Sequence, residues 1–206
     1  MSHRSFTGLG LAEEQVQILQ LARDFAQDRL RPTAEERDEN EDLFDVEVHR
    51  ELGELGFLGM LAPEEYDGFG LDFLTYLYVL EELAWGDAGV AVSVSVHNSL
   101  PVSILVQHGT DEQKERWLVP LLEGQTRSCF AMTEPAVASS DPRNLEATAV
   151  RDGDEYVING TKWWTTGAIG SSVAIFMGVT DPEAPPKARY SMILVPMDAP
   201  GVKVVR

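Results

Sequence analysis

The sequence predicts an α+β chain, with an all-helical domain over residues 1–125 followed by an antiparallel β-barrel domain over residues 126–206. Two observations predict it. Before about residue 125, apolar residues recur at helical spacing; after it, short β-rich runs alternate with Asp-Gly and Asn-Gly turns. Charge is divided as well. Residues 1–90 carry 21 acids against 6 bases, all arginine, for −15, whereas residues 91–206 carry 13 acids against 10 bases, for −3. The first part is acid-coated, and the near-neutral second part is where an anionic ligand is tolerated.

Residues 12–30 read as an amphipathic helix with Ile18, Ala22, Phe25 and Ala26 at helical spacing, closed by a charged link containing Pro32. Asp45 is placed to cap a second helix carrying Val48, Leu52 and Leu55 on one face, with Gly56 near its end. The Pro63–Gly70 segment is loop chemistry, and Asp72 caps a third helix through Ala84. Residues 88–110 carry no charge and are long enough to cross a bilayer. His97, Asn98, Pro101, several serines and the lack of basic flanks read instead as a buried helix of a soluble protein. Thr110 and Gln113 have capping-box spacing, opening a helix that runs to Pro120. Six β-rich runs follow: Arg127–Thr133, Leu145–Arg151, Tyr156–Asn159, Val173–Val179, Tyr190–Pro196 and Val202–Val205. Asp152-Gly153 and Asn159-Gly160 mark hairpins. The last run ends the chain as an unpaired strand, so the sequence reads as part of a longer architecture.

Composition narrows the function. A net charge of −18 and a pI near 4.4 disfavour nucleic acid and anionic membrane surfaces as partners. A lone cysteine, Cys129, makes neither an internal disulfide nor a zinc site, and His3, His49, His97 and His108 lack metal-ligand spacing. No metal is expected. Residues 1–10 lack the apolar core of a secretory signal, and a reducing cytoplasm is the expected compartment.

Two clusters carry possible chemistry. Phe130-Ala-Met-Thr-Glu-Pro-Ala-Val-Ala-Ser-Ser-Asp141 runs from a strand into a loop of small and hydroxylated residues, whose backbone N–H groups can approach an anion. Asn159-Gly-Thr-Lys-Trp-Trp-Thr-Thr-Gly-Ala168 supplies flat apolar walls and hydroxyl donors. Together they suit a planar heteroaromatic ligand with a phosphate tail. The residues alone equally allow a core tryptophan beside a surface one, and an ordinary Ser/Thr loop.

In this order and spacing the two segments resemble the acyl-CoA dehydrogenase family, flavoproteins that oxidise acyl-CoA thioesters. The resemblance extends to Gly53–Gly59, Pro63–Leu71, Glu81–Trp85, Asn98-Ser99-Leu100 and Gly109–Lys114, nearly the whole chain. It implies FAD as cofactor, with Phe130, Ala131, Met132, Thr133, Glu134, Pro135, Ala136, Val137, Ala138, Ser139 and Ser140 wrapping the pyrimidine edge of the flavin. Thr133 would hydrogen-bond the ring, while Ser139 and Ser140 lie toward the pyrophosphate. Trp164 corresponds to the tryptophan beside the isoalloxazine, with Thr165 next to it and Thr166 reaching N5. Ser140 also matches a serine that contacts the acyl-CoA, and Val92, Val96 and Leu100 match the face lining the acyl cavity. Glu134 belongs to the motif's framework, and Lys162, Arg143 and Arg127 are available to offset phosphate charge.

One departure marks a branch. Six residues, Pro135 to Ser140, separate Glu134 from Asp141 where the common motif has five, and none is glycine. That variant is similar to family members ten and eleven. The implied reaction is α,β-dehydrogenation, in which a carboxylate takes the α-proton and the β-hydrogen leaves as hydride. The family's order is helical domain, β-barrel, then helical bundle, which puts the base beyond Arg206 and makes Met1–Arg206 alone inactive and a weak FAD binder. An electron-transfer acceptor and assembly into homodimers or homotetramers are also implied. An acyl-CoA oxidase, a flavin-dependent monooxygenase or a non-catalytic interaction module would share these motifs.

Overall fold

The computed structural model describes residues 6, 10–40, 45–138 and 141–205. Its helical part opens with α1 (Glu13–Phe25), which continues through a wider π turn, Ala26–Leu30. The expected charged link is instead helical: a tight turn over Arg31–Thr33 leads into α2 (Ala34–Glu39). Pro32 occupies the first turn of this segment, where its missing N–H has no intrahelical acceptor to lose. Asp45 caps α3 (Val46–Glu54) by accepting from Val48 N at 3.0 Å. Asp72 caps α4 (Phe73–Gly86), accepting from Leu74 N and Thr75 N at 3.0 Å each.

The uncharged stretch forms a continuous helical rod of 21 residues, Ala88–His108, long and apolar enough to cross a membrane. It packs on α4 and buries Ala91, Val94, His97 and Asn98. Within it lie α5 (Ala88–His97), a π segment (Asn98–Val102) and α6 (Ser103–His108). Pro101 cannot donate to the ladder and its ring crowds the preceding turn, so the helix widens rather than breaks. The next helix repeats the device. Thr110 and Gln113 form the expected capping box at α7 (Asp111–Gln113), a π turn follows over Lys114–Leu118, and α8 (Val119–Leu122) carries Pro120 past the expected stop.

The sheet part agrees with a helical domain followed by strands but differs from the expected antiparallel barrel. It is an open, mixed sheet built around β4 (Ser171–Val179). β1 (Arg127–Ala131) pairs parallel with β4, and β5 (Tyr190–Pro196) pairs antiparallel along its other edge. β2 (Thr148–Asp152) meets the end of β4 in parallel through Thr148 and Val179, and pairs antiparallel with β3 (Glu155–Asn159) around the Gly153 turn. The Asn159-Gly160 hairpin does not form. Gly160 serves close approach instead, since a Cβ there would sit 2.4 Å from the Ala147 Cβ. Val202–Val205 is not a strand.

Helical packing centres on Leu19, Leu30, Phe57, Leu58, Tyr76 and Leu83, all fully or almost fully buried. A buried pair, Arg23 Nη2 to Glu82 Oε2 at 2.6 Å, ties α1 to α4. A second cluster of Ala62, Val102, Leu105, Leu118, Leu121 and Leu122 takes in Leu194 of β5, so strands and helices share packed side chains.

Candidate functional site

The segment joining β3 to β4 runs back along β1. At the carboxyl end of β1, Trp163 N donates to Thr133 O at 2.7 Å. Lys162 is drawn inward, its Nζ donating to Met132 O (2.9 Å), Met177 O (2.6 Å) and Glu134 Oε1 (2.8 Å) and lying 4.9 Å from the Phe176 ring centroid. Glu134 is buried and also accepts from Glu146 N (2.8 Å) and Ala147 N (3.0 Å). Burial by itself would push its carboxyl up; the ammonium and the two N–H donors override this and hold it below the ordinary value. Glu134 is therefore held as a buried anion between backbone donors and Lys162, which is its partner rather than a phosphate counter-charge.

From this anchor the backbone turns sharply. Trp164 adopts φ 56°, a left-handed conformation costly for a bulky side chain, stabilised by Thr166 N donating to Trp164 O at 2.9 Å. Its indole is 74% exposed and stacks on Trp163, 49% exposed, with centroids 4.8 Å apart and planes 15° apart. Thr165 is half-buried and Thr166 exposed. The loop after β1 is graded: Phe130, Met132, Thr133 and Val137 are half-buried, Ala131 is buried, and Pro135, Ala136 and Ala138 are exposed. Ser139 and Ser140 lie outside the described residues. Beyond them, Arg143 grips Asp141 in an exposed bidentate pair (2.5–3.0 Å), holding that carboxyl at about 2 through its side-chain and backbone donors. Arg143 is thus engaged locally.

Thr166 opens onto a cavity of about 460 Å³ between α2, α3, α5 and β1. The cavity follows α5 from Asp87 to His97, about 15 Å at the helical rise. At the Asp87 end, Arg37 Nη2 pairs with Asp87 Oδ2 at 2.7 Å, with Asp45 Oδ2 4.0 Å from Nη1. At the His97 end lie His49, Arg127, Ser128 and Thr166. His49 Nε2 is 3.0 Å from Thr126 O, and its ring meets His97 edge-on at 5.8 Å. Burial, then the charges of His49 and Arg127, pull His97 down to about 3 against the opposing pull of Leu121 O, so it stays neutral. Arg127, read from sequence as a phosphate counter-charge, is a buried wall of this cavity.

Of the residues expected on the acyl face, only Val96 lines the cavity. Val92 is 54% exposed and Leu100 lies in the π segment, and neither lines the cavity. Sequence reasoning missed His49 and His97; the sole signal was two histidines on separate helices, which no spacing relates.

Comparison with known proteins gives a consistent result. Residues 12–125 match the acyl-CoA dehydrogenase N-terminal domain and residues 129–206 the acyl-CoA dehydrogenase middle domain. The chain is 39% identical over 200 residues to human mitochondrial short-chain specific acyl-CoA dehydrogenase, covering 97% of this chain and 48% of that protein. It is 49% identical over 147 residues to mouse acyl-CoA dehydrogenase family member 10, covering 70% of this chain and 14% of that protein. A glutaryl-CoA dehydrogenase from Mycobacterium smegmatis, solved in complex with FADH2, superposes with a TM-score of 0.85 at 34% identity, over 95% of this chain and 48% of that one. The chain thus spans about half the length, or less, of the relatives it matches.

Proposed function

This chain belongs to the acyl-CoA dehydrogenase family, and on that premise we propose that it supplies the flavin-binding and acyl-lining surfaces for α,β-dehydrogenation of an acyl-CoA thioester. The observation carrying this is the exposed Trp164 indole, held in a costly left-handed conformation one turn before Thr166 at the mouth of a cavity. Strain kept at a solvent-facing aromatic is accounted for by a planar partner. The residues fit FAD: Trp164 gives its ring a flat wall, the Thr166 hydroxyl a donor, and the Phe130–Thr133 segment a polar backbone edge. Bound flavin would accept the β-hydrogen as hydride.

The chain's own part is placement. Lys162 and Glu134 fix the two flanking segments against each other, and Val96 with Thr166 aligns the acyl carbons along the cavity. Glu134 is not the base, because its carboxylate is engaged by Lys162 and two backbone N–H groups. The base comes from a segment outside Met1–Arg206, and the electrons pass to an electron-transferring acceptor. Titrating FAD into the chain while following tryptophan emission tests the reading. Quenching is expected, with affinity lowered about tenfold or more in Trp164→Ala; unchanged emission at saturating FAD, or an unaffected Ala variant, would sink it.

A further inference from the structure

Residues 160–165, which carry the chain from β3 past the carboxyl end of β1, belong to no helix or strand. A strand ladder therefore does not fix the angle of the Trp163–Trp164 stack. On its carboxyl side, Thr166 N donates to Trp164 O at 2.9 Å and Ala168 N to Thr165 O at 3.1 Å. On its amino side, the hold is Trp163 N on Thr133 O and the Lys162 ammonium. A bulky residue in the left-handed region persists where its surroundings over-determine it, so the amino-side hold bears on Trp164 directly.

The Lys162 side chain is 9% exposed, and its three N–H groups meet three acceptors: Met132 O and Glu134 Oε1 from the loop after β1, and Met177 O from β4. Glu134 in turn holds Glu146 N and Ala147 N ahead of β2, and Ala147 O accepts from Val179 N at 2.8 Å. Four segments thus converge on one ammonium. An apolar side chain would fill this space without the cost of burying charge, and the best-attested use of a buried ion pair is to fix register.

We propose that Lys162 is the positioning residue of the aromatic platform: its ammonium fixes the angle at which Trp163 and Trp164 stack, and with it the face that Trp164 offers to the flavin. This rests on the flavin reading above and goes beyond it in naming the group that orients the platform. The platform's order is thereby tied to one proton, because a neutral amine has two N–H groups for three acceptors and leaves Glu134 without a counter-charge. Facing Lys162 are Glu134 from the loop after β1 and, from β4, the Phe176 ring and the Met177 carbonyl; Glu146 turns only its N–H toward Glu134 and is itself exposed. Burial weakens the ammonium's hold on its proton more than Glu134 strengthens it, so the proton leaves below the ordinary lysine value of 10.5.

Stacked indoles couple their transitions and give a signed dichroism couplet that a lone indole lacks. The platform is therefore read without FAD, as the far-ultraviolet dichroism difference made by Trp163→Phe in each background. Lys162→Met combined with Glu134→Gln removes both charges of the pair, so neither is left buried alone. That variant should keep the parent's helical signal, lose most of the couplet and bind FAD about tenfold more weakly by tryptophan quenching. A couplet of parent size, or an unchanged FAD affinity, overturns the proposal. Should the variant fail to fold, a pH titration of the parent decides. Its couplet should fade below pH 10.5 while the helical signal holds, and a couplet intact at that pH overturns the proposal. A parent whose couplet responds as expected but which binds no FAD overturns instead the flavin reading, and with it the ligand assigned to the platform.

Discussion

His97 illustrates how a single side chain reports its surroundings. Held near 3 when folded and near 6.5 when unfolded, it binds a proton more readily in the unfolded chain between those values. Its neutral form thus stabilises the fold fully above about pH 6.5, and that contribution is lost as pH falls toward 3. His97→Asn should flatten the decline of thermal midpoint over this window relative to the parent; parallel declines would show that the imidazole does not titrate as argued. At this scale the sequence is legible where chemistry is local. Trp164 is exposed and Thr166, two residues on, lines the cavity. Lys162 and Arg127 were not legible, because both look like surface cations until β1, β4 and the connecting segment bring acceptors or walls around them.

Helix starts are the most legible elements, since a cap is settled within four residues. Asp45, Asp72 and Thr110 with Gln113 all cap as their spacing predicts. Asp72→Ala removes an acceptor from two N–H groups and should lower the denaturant midpoint relative to the parent. An unchanged midpoint would mean that water replaces the cap. Proline is the misleading signal. Pro32 starts a helical turn, and Pro101 and Pro120 ride in helices that widen into π turns instead of ending. The last valine-rich run differs for a related reason: β propensity at Val202–Val205 meets no partner strand among the described residues.

For the whole molecule, the division into helices then strands is plain in the change of period, whereas the mixed sheet is not. Parallel pairing of β1 with β4 joins residues more than forty apart in sequence, and no turn dipeptide announces it. The two parts are also welded. Half-buried Leu194 of β5 packs against the cluster of Ala62, Val102, Leu105, Leu118, Leu121 and Leu122. Heating should therefore give coincident transitions by far-ultraviolet dichroism, which follows the helices, and, in a variant carrying Trp85→Phe and Trp117→Phe, by emission from Trp163 and Trp164 on the strand side. Two midpoints separated by more than about 5 °C would contradict this. This contact also limits any exchange of parts between relatives: a sheet transplanted from a cousin must bring an apolar side chain at this position, or the hybrid leaves the face of that cluster uncovered.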